Sequence, residues 1–279
     1  MLPEGGNYIF GTTINMELIK QLREMTGAGM VDCKKALDEA NNDLQAAVEI
    51  LRKKGIAKAA KRTDRETNEG VVKVAVNTDN NEAYIFDLTS ETDFVSRNEK
   101  FQNFATEVMA LVLSARPADR EALLALPMAQ GSVQENLASL SGTIGEKMEI
   151  NRFGRLQGAS LAAYSHLGGK LGVLIALDQS GKEDLALELA MQVAAANPKY
   201  IDSSAVIPAE LEKEKEIYRE QLLKEGKPEA MIEKILAGKV NKYYEDVCLV
   251  EQEFIKDDKK KVKDILGGAK VLGFFRFGL

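Results

Sequence analysis

A single histidine, His166, and two cysteines, Cys33 and Cys248, are all that the chain offers for imidazole or thiolate chemistry. Cys33 lies in a helical stretch with no histidine near it in sequence, so spacing gives no nucleophile–base pair. The two cysteines are far apart, which fits neither a disulfide framework nor a zinc-ligand spacing. No G-x-x-x-x-G-K-[ST] loop is present, and no strand leads into G-x-G-x-x-G. The glycines of "LGGKLG" (167–172) fit a hairpin turn instead. Carboxylates number 43, but none falls in a pattern that pairs an acid with a base. These residues disfavour an enzyme and require no cofactor and no metal. What remains is "ETDFVSRNEKF" (91–101), which sets Phe94 beside Asp93 in an otherwise polar connection. Phe94 either folds back onto its own core or stands exposed as an anchor for another protein. An aromatic suits the second role, because it buries a large area at little entropic cost.

The elements on either side of the motif are legible. "YIFDLTS" before it reads as a strand, and Phe101, Phe104, Ala105, Val108, Leu111 and Val112 after it share one helical face. Ser90-Glu91-Thr92-Asp93 and Ser96-Arg97-Asn98-Glu99 both have the form of a capping box. Together they predict a short helical turn, carrying Phe94 and Val95, ahead of the main helix. Upstream, residues 16–55 read as three helices. The first has Leu18, Leu22 and Met25 on one face, and "TGAGM" breaks it. The second carries Val31, Ala36, Leu37 and Ala40. Asp43 caps the third, which carries Leu44, Ala47, Val48 and Leu51 and stops at Gly55, and the charged "IAKAAKRTDRETNEG" beyond reads as a helix extension running into a linker.

The order strand, strand, helix occurs twice. "VVKVAV" and "YIFDLTS" precede the Phe101 helix; "SLAAYSH" and "LGVLIALD" precede "KEDLALELAMQVAAA". In the second copy a short "QSGKED" joins strand to helix where the first copy has "SETDFVSRNE". The motif is thus an elaborated connection, and such connections more often carry function. Between them "SVQENLASLSGTIGEKMEI" gives another amphipathic helix. Residues 206–244 form a charge-rich helical hairpin, with one seam of Leu211, Tyr218 and Leu222 and another of Met231, Ile235, Leu236, Val240 and Tyr243. Gly226 ends its first helix and Pro228 opens its second. "KDDKKKVKDIL" reads as helix, and "KVLGFFRFGL" as a strand that rejoins the second sheet.

The fold expected is α+β. Residues 1–15 are an extension or tag, 16–56 a three-helix domain, and 57–69 a linker. Residues 70–152 make the N-terminal half of a two-part core of small antiparallel sheets with packed helices; 153–204 with 245–279 make the other half. Residues 205–244 are the inserted antiparallel hairpin. No apolar run reaches the length of a membrane span and no signal peptide is evident, so a cytoplasmic protein is expected. A net charge of −6 argues against direct nucleic-acid binding, which depends on basic surfaces.

"LREMTGAGMVDCKKALDEAN", "TDFVSRNEKF" and "GKLGVLIAL", in order along the chain, resemble the elongation factor Ts family, the bacterial nucleotide exchange factors of elongation factor Tu. The resemblance implies a ubiquitin-associated-like N-terminal domain, a two-part core and a coiled-coil protrusion. It implies no catalysis and no cofactor, and a partner, elongation factor Tu, met in GDP-bound and nucleotide-free states. By resemblance Thr92, Asp93, Phe94 and Val95 form the motif that enters the GTPase domain, with Phe94 as the wedge. Met30, with Arg23, would touch the same domain; Ile144 and Gly145 of "TIGEK" would contribute from the core; His166 would face the third domain of elongation factor Tu. Gln192 stands where many relatives have histidine. The chain ends soon after "FFRF", without the helical tail of some relatives, so contacts of such a tail are not carried over. A homodimer of the one-to-one complex is left open. The competing class is a protein-binding adaptor that uses the N-terminal bundle and does not need Phe94.

Overall fold

The computed structural model describes residues 16–128 and 130–279; the extension at 1–15 lies outside them. In chain order come α1 (Met16–Thr26), α2 (Met30–Glu39), α3 (Leu44–Ala60), β1 (Glu69–Val76), β2 (Glu82–Ser90), α4 (Asp93–Ser96), α5 (Glu99–Ala115) and α6 (Arg120–Ala125). Then follow β3 (Pro127–Met128), β4 (Gly131–Ser132), α7 (Val133–Ile144), β5 (Met148–Gln157), β6 (Ser160–His166), β7 (Leu171–Leu177) and α8 (Glu183–Ala196). The rest is α9 (Pro208–Lys224), α10 (Glu229–Val247), β8 (Glu253–Phe254), β9 (Asp257–Lys261), α11 (Val262–Ile265) and β10 (Val271–Gly278). This is α+β architecture with small antiparallel sheets. The chain divides into two compact units.

The first unit gathers 16–69, Thr89–Ser96 and Leu124–Glu149. Its helical core holds Ile19, Leu22, Cys33, Ala36, Leu37, Ala47 and Val48. Met25 and Val31, placed inside by the helical spacing, are exposed instead; they flank the reversal at Thr26–Gly29 and fall outside this small core. Asp43 caps α3, its carboxylate accepting from the N–H groups of Gln45 (2.8 Å) and Ala46 (3.0 Å), worth about 1 kcal/mol. The helix does not stop at Gly55 but runs to Ala60. Gly55 serves a different purpose. A β-carbon at Gly142 of α7 would sit 2.3 Å from Gly55 Cα. The two helices thus cross with their backbones in contact, which excludes a side chain at Gly142, while a β-carbon at Gly55 would meet Ser139 O at 3.3 Å, a tight contact. Helix α7 starts with a capping box, Ser132 with Glu135, and ends at Gly145 in the left-handed region.

The second unit holds most of both three-stranded sheets, in the orders β1-β2-β5 and β10-β7-β6. All seven residues of β7 are buried, because both its faces are covered. Val173, Ile175 and Leu177 pack with Leu189 and Val193 of α8. Leu174 and Ala176 meet Val72, Ala83 and Ile85 of the first sheet. A β-carbon at Gly172 would lie 2.5 Å from Val72 Cγ1, so the sheets approach closely there. Helix α9 meets α10 through a short turn in which Gly226 has φ of 73°; Leu222, Ile232, Leu236 and Tyr243 are buried. Ile232 takes the inner place expected of Met231, which is exposed. The lysine-rich "KDDKKK" is the strand β9, paired with β8, rather than helix. It has no apolar stripe, and α11 begins only where Lys261 N–H meets Asp264 (2.8 Å).

Candidate functional site

The connection from β2 to α5 is built around one turn of helix. Val95 and Ser96 point inward and Phe94 points out, 84% exposed. Of the two explanations for the phenylalanine, folding back onto its own core does not occur. Neither serine stands at the N-cap position of the helix it was expected to open: α4 begins at Asp93 and the N-cap of α5 is Asn98. Ser90 Oγ donates to Thr92 O (3.0 Å) and Ser96 Oγ to Asp93 O (3.1 Å). The cap of α5 is Asn98, whose Oδ1 accepts from Lys100 N–H (2.9 Å).

Two glutamates hold the turn in place of those serines. Glu146 accepts from Thr92 N–H (3.0 Å) and from Thr92 Oγ1 (2.7 Å). Glu91 accepts from Lys147 N–H (2.6 Å) and from Arg65 (3.0 and 3.1 Å). Each segment therefore offers one carboxylate to the other's backbone. The Lys147 N–H, and then the Arg65 guanidinium, hold the Glu91 carboxyl below its ordinary range against the opposing effect of burial. The same crossing brings the motif to Ile144 and Gly145, which immediately precede Glu146; Ile144 is half-buried and Gly145 exposed. Ser141 Oγ donates to Glu146 O (2.5 Å), fixing that connection to the end of α7.

Met30 is 56% exposed at the start of α2, and Arg23 is exposed on α1. Both belong to the same compact unit as Phe94. Gly29, beside Met30, caps α2 without a side-chain hydrogen bond, and its missing β-carbon would meet nothing within 4 Å. In the other unit His166 is exposed at the end of β6, its Nδ1 2.9 Å from Tyr164 Oη and its ring stacked on that tyrosine. Gln192 is fully buried: Nε2 donates to Gln252 Oε1 (3.2 Å) and Glu253 O (3.1 Å), and Oε1 accepts from Ile255 N–H (2.8 Å). That side chain ties α8 to the strand β8.

Burial pushes the Cys33 thiol up and that of Cys248 to about 11, so neither is a ready nucleophile. Among the described residues no cluster of three His, Cys, Asp or Glu could hold a metal ion. A cavity of about 170 Å³ lies beside the α3–α7 crossing, lined by residues such as Met25, Asp32, Arg52 and Thr143. It is small against the several hundred Å³ usual for ligand sites.

The family model of elongation factor TS matches residues 91–279, starting at Glu91. Elongation factor Ts of Chlorobaculum tepidum is 46% identical over 283 aligned positions, which cover 95% of this chain and 98% of the relative. The chain belongs to the elongation factor Ts family. It is a factor of translation elongation. Phe94, Met30 and His166 all lie at the surface. Among the described residues no helix is long and apolar enough to cross a membrane. Glu91 and Glu146, the residues that hold the Phe94 turn, were not singled out from sequence. Their only signal was position: one begins the motif and the other follows the Ile144–Gly145 pair.

Proposed function

We propose that this member of the elongation factor Ts family is a guanine nucleotide exchange factor for elongation factor Tu, and that Phe94 is the residue it inserts. The observation that carries this reading is an aromatic side chain 84% exposed on a turn anchored on one side by Glu146, which accepts from the Thr92 N–H, and on the other by Glu91, which accepts from the Lys147 N–H. Phe94 would wedge into the GTPase domain beside the nucleotide, with Thr92, Asp93 and Val95 shaping the same contact. The magnesium ion there bridges nucleotide phosphates to the protein, so disturbing its geometry weakens GDP binding. Met30 with Arg23, and Ile144 with Gly145, would touch the same domain, and His166 the third domain. The factor binds nucleotide-free elongation factor Tu more tightly than the GDP-bound form. By linkage, nucleotide rebinding expels it with the same coupling free energy. No covalent step and no cofactor enters, and the setting is the cytoplasm.

In this reading 16–56 is a ubiquitin-associated-like domain and 57–69 a linker. Residues 70–152, then 153–204 with 245–279, are the two parts of the core, and 205–244 is a coiled-coil hairpin. The test is release of a fluorescent GDP analogue from purified elongation factor Tu with substoichiometric factor. Acceleration with turnover supports exchange. Stable binding without acceleration would move the function to an adaptor working through the N-terminal helices.

A further inference from the structure

Phe94 is exposed, yet an exposed wedge is useful only if its backbone does not yield when it meets the partner. The residues around it are connected in an unusual way. Glu146 takes both the N–H and the hydroxyl of Thr92, two residues before Phe94. Glu146 is itself fixed, because Ser141 Oγ holds its carbonyl. Ser141 adjoins Gly142, whose backbone rests on Gly55 of α3. Helix α3 packs with α2, which begins at Met30. Every link in this series lies inside one compact unit. We infer that Glu146 is a positioning residue for exchange: its carboxylate holds the turn so that Phe94 is preset relative to the Met30 surface. The inference rests on the exchange reading and assigns Glu146 no contact with the partner or the nucleotide.

A carboxylate suits this task. It accepts from two donors at once, and charge-assisted hydrogen bonds are roughly twice as strong as neutral ones. Holding the wedge before encounter removes the cost of ordering it afterwards, and that saving appears in the rate of the step the wedge performs. The Glu91 clamp leaves the turn attached when Glu146 is lost, so the segment loosens without the unit coming apart.

The experiment compares Glu146→Ala and Glu146→Gln with the unaltered chain and with Phe94→Ala. Catalysed GDP release is followed over a range of elongation factor Tu·GDP concentrations. Glu146→Ala should lower kcat by about tenfold with KM little changed, the scale of one lost charged hydrogen bond. Glu146→Gln, which keeps one acceptor, should lower it by about threefold. In the Phe94→Ala background Glu146→Ala should cause no further loss, because no wedge remains to be positioned. Undiminished kcat in folded Glu146→Ala overturns the inference, as does a loss that persists in full without Phe94. Hydrogen exchange of the 90–97 amides in the free protein provides a readout independent of exchange activity, and Glu146→Ala should speed it about tenfold. If the unaltered chain fails to accelerate release, the exchange reading falls. Unchanged protection of those amides would then refute the clamp separately.

Discussion

The chain makes the same passage twice, from a strand to the helix that packs on its sheet, and solves it in two ways. The connection from β7 to α8 is short and carries no large apolar side chain. Ser160 Oγ donates to Gln179 O (2.8 Å) and accepts from Lys182 N–H (2.9 Å), and Gly181 takes a φ of 72° to close the bend. The connection from β2 to α5 has an extra helical turn, Asp93–Ser96, and that turn presents an aromatic to solvent while two carboxylates brace the backbone. The first connection is held by a single hydroxyl, that of Ser160 at the start of β6. The second uses its added length to place one side chain. In the proposed reading the function falls on the longer connection, on grounds of exposure and bracing rather than length alone.

Four measurements would break or sharpen that contrast. Phe94→Ala should reduce catalysed GDP release by about a hundredfold, the scale of a strong interface anchor. Its thermal stability should move by no more than about 0.5 kcal/mol, because the removed ring touches mainly water. Normal exchange by this variant would erase the distinction between the connections. Asp93→Ala should lower release in the same direction by about tenfold, the worth of one charged contact; an effect exceeding that of Phe94→Ala would make the carboxylate the principal group. Glu91→Gln tests the brace through pH. The folded state holds Glu91 ionised more firmly than the unfolded chain does. The stabilisation is therefore complete above the unfolded value of about 4.3 and is lost as pH falls through the lower folded value. Urea unfolding should show the variant weaker at pH 7 and the two proteins converging in acid; a constant gap would mean that ionisation is irrelevant. Ser160→Ala, at the start of β6 and hydrogen-bonded to the plain connection, should cost about 1 kcal/mol of stability and leave GDP release unchanged. A fall in release would show that the plain connection shares the function.

The fold was readable where a period was strong and one face was buried. Strands β1, β2, β6, β7 and β10, and helices α5, α7 and α8, sit where apolar spacing placed them. Reading failed where a residue type has two uses. Gly55 fits the end of a helix, and only the close approach of Gly142 from a distant segment shows why it sits mid-helix. Ser90 and Ser96 had the spacing of caps, but their hydroxyls found nearer carbonyls. Met25 and Val31 have the right spacing for a core that is too small to reach them. Of the site, Phe94 and the glycine-rich reversal before Met30 were visible as oddities of composition. Glu91 and Glu146 were not, since their partnership spans more than fifty residues of sequence and two glutamates among 43 acidic residues carry no local mark.

The central strand β7 has one further consequence, for the time during which the protein is being made. On one side it pairs with β6, synthesised just before it, through a register running from Ser160↔Leu177 to His166↔Leu171. On its other side it pairs with β10, which leaves the ribosome only after α8, α9, α10 and the β8–β9 hairpin. In that interval an apolar strand has an open edge of unpaired N–H and C=O groups, the kind of surface that recruits other nascent chains. Synthesis that stalls in the helical pair would leave a chain able to carry Phe94 on its turn yet prone to aggregate through β7.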